Sequence, residues 1–87
     1  MKVKNITNNN GNKVANQFII TDGNKETFQS YKSIICERDY DKQTIKFSEH
    51  WNYSRTTSKY LNQFLGLSTN EIKDMIKNNE ITIDLAI

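Results

Sequence analysis

The sequence predicts a small α+β domain: an antiparallel sheet of four or five short strands, packed by two helices from the second half of the chain. Three observations carry that expectation. Short β-branched and aromatic runs fill the first half, set between Asn, Asp and Gly turn residues. After Ser54 the apolar residues recur at helical spacing. Ser68, three residues ahead of Glu71, marks a helix start inside that second half.

Residues 1–87 read as one domain, with 1–13 as a flexible Asn-rich arm or loop, because Asn5 to Lys13 hold five Asn and one Gly. Val14 to Thr21 is β-branched and aromatic and reads as a strand, with Phe18 and Ile20 on one face and Ile19 on the other. Asp22-Gly23-Asn24 tolerates the positive φ of a hairpin turn. Glu26 to Ser30 follows as a strand with Phe28 facing the core. Ser33 to Arg38 is open to two readings. Phe28, Tyr31 and Ile35 are spaced for a helix face, while Ile34, Ile35 and Cys36 form a short run between turn signals, which favours a strand. Asp39 to Gln43 is a polar turn. Thr44 to Ser48 alternates, with Ile45 and Phe47 inward and Lys46 outward.

In the helical half, Tyr60, Leu61, Phe64 and Leu65 share one face. Ser54 or Thr56 caps its start, and Gly66 suits the left-handed residue at its end. Ser68 and Glu71 form a capping box for the second helix, with Leu67 placed to staple to Ile72. Ile72, Met75 and Ile76 make its apolar stripe, and Asn78-Asn79 ends it. Ile81, Ile83 and Leu85 then alternate with Thr82, Asp84 and Ala86 as a final strand.

A chain of 87 residues buries about 60–65% of its unfolded surface, so the core is thin. A partner or a homodimer adds stability to such a chain. The net charge is +2, split as +4 over residues 1–65 and −2 over 66–87. That balance falls short of the dense positive stripe of a strong nucleic-acid binder, and it excludes an acidic imitator of DNA. Cys36 stands alone between apolar neighbours and reads as a small buried residue in a reducing cytosol. No apolar leader follows Met1, and no apolar run reaches the length of a membrane span, so the expected location is cytoplasmic, away from membranes.

The residues spell out no reaction. The chain has no Gly-rich phosphate loop, no Cys/His metal spacing, and no Ser with a matched His and acid. Glu49-His50 reads as a surface pair, and Glu37, Asp39 and Asp41 as a solvated turn broken by Arg38. The expectation is a non-enzyme without metal or cofactor. Binding chemistry concentrates between Phe28 and Phe64, which hold eight of the nine aromatics. Arg55, Lys59 and Asn62 lie at i, i+4 and i+7, on one polar helix face, preceded by the flat rings of Trp51 and Tyr53. These five residues are the candidate partner contacts, since cations with aromatic faces suit a protein hot spot or a stacked base. The alternative is a small nucleic-acid-binding regulator, with the helix pair around Gly66-Leu67-Ser68 as a helix-turn-helix.

Two blocks, Phe28-Gln29-Ser30-Tyr31-Lys32-Ser33-Ile34-Ile35-Cys36 and Trp51-Asn52-Tyr53-Ser54-Arg55-Thr56-Thr57-Ser58-Lys59-Tyr60 with Phe64-Leu65, carry a resemblance. Over residues 17–65 the chain is similar to a family of small uncharacterised proteins from phages, plasmids and other mobile elements of Gram-positive bacteria. That family runs F-x-S-Y-x-S-x-I-A, a variable turn, then W-x-Y-S-x-T-T-S-K-(Y/H) and F-L. Cys36 stands where Ala is usual, and Tyr60 where His is common. The resemblance implies a phage or mobile-element accessory protein inside a host bacterial cell. Proteins of that setting are commonly non-enzymatic binders that inhibit a host defence protein or nucleoprotein complex, or adjust host and element gene expression, and an inhibitor of a CRISPR effector belongs to that set.

Overall fold

The computed structural model describes residues 1–52, 54–84 and 87. The strands are β1 (Lys2–Thr7), β2 (Lys13–Asp22), β3 (Lys25–Ser30), β4 (Ser33–Asp39), β5 (Thr44–Phe47) and β6 (Ile81–Ile83). Helices α1 (Arg55–Leu65) and α2 (Thr69–Lys77) lie between β5 and β6. The six strands form one sheet in sequence order. The first five make an antiparallel meander, and β6 returns to pair parallel with β5, as a helical crossover requires. The α+β class and the two helices of the second half are as expected. The strand number among the described residues is six, where the sequence predicts four or five. Residues 33–39 are strand, and Leu85 and Ala86 of the expected final strand lie outside the described residues.

The extra strand is β1, inside the stretch expected as an arm. Its asparagines supply turn chemistry. Asn8 Oδ1 accepts the backbone N–H groups of Asn10 and Asn12 at 2.9 and 3.0 Å, and Gly11 takes φ +79°. That turn folds residues 2–7 back onto β2, and Ile6 enters the core at 3% exposure.

Cross-strand register defines the covered face of the sheet. Ile19, Phe28, Cys36, Phe47 and Ile83 are successive partners across five strands, and Thr21, Glu26, Arg38, Ile45 and Ile81 form the neighbouring row on the same face. Phe28, Cys36 and Phe47 are fully buried there, together with Leu61 and Ile72 from the helices. The opposite face carries Val3, Ile20, Thr27, Glu37, Lys46 and Thr82 in one row.

A register shift in the β3–β4 hairpin decides which residues face the helices. Ser30 pairs with Ser33 and Gln29 with Ile34, but Phe28 pairs with Cys36, which leaves Ile35 as the extra residue of a bulge. Continuing the register of the turn sets Glu26 against Glu37. The bulge sets Glu26 against Arg38 instead, and Lys25 against Asp39.

Helix α1 is fastened along β3. Residues 26, 28 and 30 share one face of the strand, while 57, 61 and 64 share one face of the helix. The Ser30 and Thr57 hydroxyls pair at 3.0 Å, and the rings of Phe28 and Phe64 stack at 5.9 Å. Ser54 caps α1 by accepting the Thr57 N–H at 3.1 Å, and Gly66 ends it at φ +70°. The capping box at Ser68 and Glu71 forms in full, with both reciprocal bonds.

Among the described residues, buried side-chain atoms without a hydrogen-bond partner fall at Gln17 and at Arg38 Nε. Gln17 is fully buried opposite Ser30, and neither Oε1 nor Nε2 has a hydrogen-bond partner among the described residues. A buried amide without partners costs about 1–3 kcal/mol per group, while an apolar residue of the same shape carries no such cost. Gln17→Met is therefore expected to raise unfolding free energy by about 1 kcal/mol in urea titration. A loss of stability contradicts this account of the site.

Candidate functional site

The five expected contacts separate into different environments. Arg55 opens α1 and is exposed; Lys59 sits one turn later on the same face, also exposed, with Nζ 5.3 Å from the Tyr60 ring centroid. Neither has an ion-pair partner among the described residues, whereas Lys25, Arg38 and Lys46 each have a carboxylate within 3.9 Å. Trp51 is half-buried, its ring packed 5.6 Å from Phe47, so only part of it faces outward. Asn62 is half-buried and holds the corner between the helices. Its side-chain amide donates to Thr69 Oγ1 at 3.0 Å, and its carbonyl accepts from Gly66 and Leu67. Tyr53 lies outside the described residues.

Two hydroxyls of this segment, those of Ser54 and Thr57, are structural. Ser54 Oγ donates to Thr57 Oγ1 at 3.1 Å, and Thr57 in turn meets Ser30. Thr57 is 1% exposed. This chain of hydroxyls ties the start of α1 to the end of β3, so the β3–β4 turn, Tyr31-Lys32, and Arg55 lie at the same end of the sheet. Both turn residues are exposed. Sequence reasoning missed them as neighbours of the helix, because residues 30 and 57 meet only through the fold.

A second constellation occupies the other end of the sheet. The Arg38 guanidinium lies over the Tyr40 ring at 5.1 Å and the Phe64 ring at 4.8 Å. Its Nη2 donates to Glu26 Oε1 at 2.9 Å and lies 3.5 Å from the Phe64 carbonyl oxygen. A cation at the last turn of α1 complements the helix dipole. Tyr40 also donates its hydroxyl to Glu26 Oε1. That hydrogen bond first, and Arg38 with it, holds the Glu26 carboxyl below its ordinary value, against the opposing pull of burial. The same bond raises the Tyr40 hydroxyl above its ordinary value. The signal was present in sequence as Glu26, Arg38 and Tyr40, but the bulge at Ile35 that brings them together was not.

Two hollows open at this end, near the β4–β5 turn. One of about 290 Å³ is lined by Arg38, Asp39, Tyr40, Gln43, Thr44 and Ile45. The other, about 470 Å³, runs between Ile45, Met75, Glu80 and Thr82. Among the described residues no group of three or more His, Cys, Asp or Glu is placed to hold a metal ion. No helix among them is long and apolar enough to cross a membrane. Cys36 is buried, and burial pushes its thiol up to about 12, so it carries no thiolate at neutral pH.

Residues 1–82 match the Family of unknown function (DUF8033). The chain belongs to that family. No curated protein and no solved structure matches the chain. In this DUF8033 domain, then, the surface at the start of α1 and the Arg38 network are defined by geometry alone.

The two pKa directions fix the pH window in which the network stabilises the fold. Glu26 contributes above its ordinary 4.5, and the contribution disappears as pH falls through its lowered folded value. Tyr40 contributes below its ordinary 10.0, and the contribution disappears as pH rises through its raised value. The stability gap between the native chain and Glu26→Gln, read by urea titration, is expected to be level from about pH 5 to about pH 9 and to narrow on both sides. A gap that widens below the ordinary carboxylate range contradicts the assignment.

Proposed function

We propose that the protein is a non-enzymatic mobile-element accessory protein that binds a host defence protein or nucleoprotein complex and inhibits it by occupying its surface. The observation that supports binding is the pair Arg55 and Lys59: exposed, one helical turn apart, and without carboxylate partners among the described residues. Unneutralised cations on a rigid helix steer an acidic or phosphate-bearing partner and fix its register. The resemblance of the two sequence blocks to mobile-element proteins points to a bacterial host cytoplasm as the setting, in which a CRISPR effector is one such target. A chain of net charge +2 cannot stand in for nucleic-acid phosphates, so inhibition is steric.

The rival reading, a regulator that inserts α2 into a DNA groove, has weaker support. The exposed residues of α2 include Glu71 and Asp74 against Lys73 and Lys77, which gives no net attraction to phosphate.

The test is capture of a partner from host lysate by the native chain, compared with Arg55→Glu and Lys59→Glu. The expected outcome is a stoichiometric complex that each variant weakens at least tenfold, on the order of 1.4 kcal/mol, with unchanged thermal midpoint. A native chain that captures no stoichiometric partner contradicts the proposal, as does full capture by both variants.

A further inference from the structure

The turn between β3 and β4 has only two residues, Tyr31 and Lys32, and Tyr31 takes φ +56°. Tight hairpins need a left-handed residue there, and Gly, Asn or Asp provide it at least cost. A tyrosine in that conformation meets its own β-carbon against the neighbouring carbonyl. The backbone is held in place nonetheless. The Tyr31 N–H donates to the Asn16 carbonyl at 2.7 Å, and the Tyr31 carbonyl accepts from Gln29 Nε2 at 2.8 Å. The ring returns nothing to the core, since Tyr31 is 53% exposed. Strain fastened from both sides, with the side chain sent outward, is characteristic of a contact residue.

Cations lie at the same end of the sheet as that ring. Ser30, its neighbour, meets Thr57 in the first turn of α1, so Lys32 and Arg55 stand at the same end of the sheet, with Lys59 one turn further. Lys32, Arg55 and Lys59 are all exposed, and none has an ion-pair partner among the described residues. The acid of the nearby loop, Glu49, lies 3.7 Å from His50.

We propose that the Tyr31-Lys32 turn and the start of α1 form one surface that holds single-stranded nucleic acid. Tyr31 stacks on an unpaired base, and Lys32, Arg55 and Lys59 neutralise the flanking phosphates. This rests on the binding reading above and names what the surface meets in a nucleoprotein target. A flat ring and separated cations at one end of the sheet suit the alternation of base and phosphate along one strand. A duplex keeps its bases stacked and offers the ring no face. An acidic protein patch satisfies the cations too, and is the alternative that the test separates.

The test is fluorescence anisotropy of the full chain with a labelled oligothymidylate of about ten nucleotides, at about 50 mM and about 200 mM salt. A labelled polyglutamate peptide of equal length is the control. Three neutralised phosphates predict a slope of about −2 in log affinity against log salt, so affinity falls about 20-fold between the two conditions. Tyr31→Asn is expected to weaken binding about tenfold while its thermal midpoint stays equal or rises, because Asn accepts the left-handed backbone. Tyr31→Phe keeps the affinity. The inference is overturned by absence of binding at low salt, by polyglutamate binding as tightly, or by native affinity in Tyr31→Asn. If oligothymidylate fails to bind while Arg55→Glu still breaks the host complex, this inference falls and the binding reading stands. If the host complex is also absent, both fall.

Discussion

Helix α1 lies on β3 because two different periodicities come into step. A strand repeats its facing side every second residue, so Glu26, Ser30 and the intervening Phe28 look the same way. A helix repeats every three to four, so Thr57, Leu61 and Phe64 do too. Four strand residues span about 13 Å and seven helical residues about 10.5 Å. The two rows therefore meet along their length, with Ser30 at Thr57, Phe28 at Phe64, and Glu26 reaching the end of the helix through Arg38. Most of what the chain presents to its surroundings follows from this alignment, since it fixes which turn stands beside which end of α1.

The two ends of the sheet are consequently unlike. At the C-terminal end of α1, charge is consumed internally. Arg38 lies between two rings and shares Glu26 with Tyr40, and Asp39 is buried with its carboxylate accepting the N–H groups of Asp41 and Lys42. At the N-terminal end, the hydroxyls of Ser30, Ser54 and Thr57 use one another, and the cations beside them face outward. A thin core leaves few apolar contacts to spare. Polar contacts at either end of α1 supplement it, and only one end has its charges neutralised in doing so.

Local chemistry was legible in the sequence, and long-range register was not. Ser54, Gly66 and the pair Ser68 and Glu71 act where their residue types place them, since caps depend on neighbours within four positions. Ile45 and Phe47 face inward as their alternation implies. Strand β1 was hidden because its turn is built of asparagines that, without a partner strand, read as an open arm. The Arg38 network was hidden by a single extra residue. Ile35 shifts the pairing by one and turns Arg38 toward Glu26, and no composition or periodicity in Ser33 to Arg38 marks where a bulge falls. Of the candidate contacts, Arg55 and Lys59 are exposed as a polar helix face implies. Asn62, on the same arc, is engaged by Thr69, because the helix pair folds back at Gly66.

The alignment of α1 on β3 is tested most directly by a double-mutant cycle between Ser30→Ala and Thr57→Val, read by urea unfolding at neutral pH. A buried hydroxyl pair that registers the two elements predicts a coupling energy of about 1 kcal/mol. Single effects that add to within about 0.3 kcal/mol contradict it, and with it the joining of the β3–β4 turn to the start of the helix.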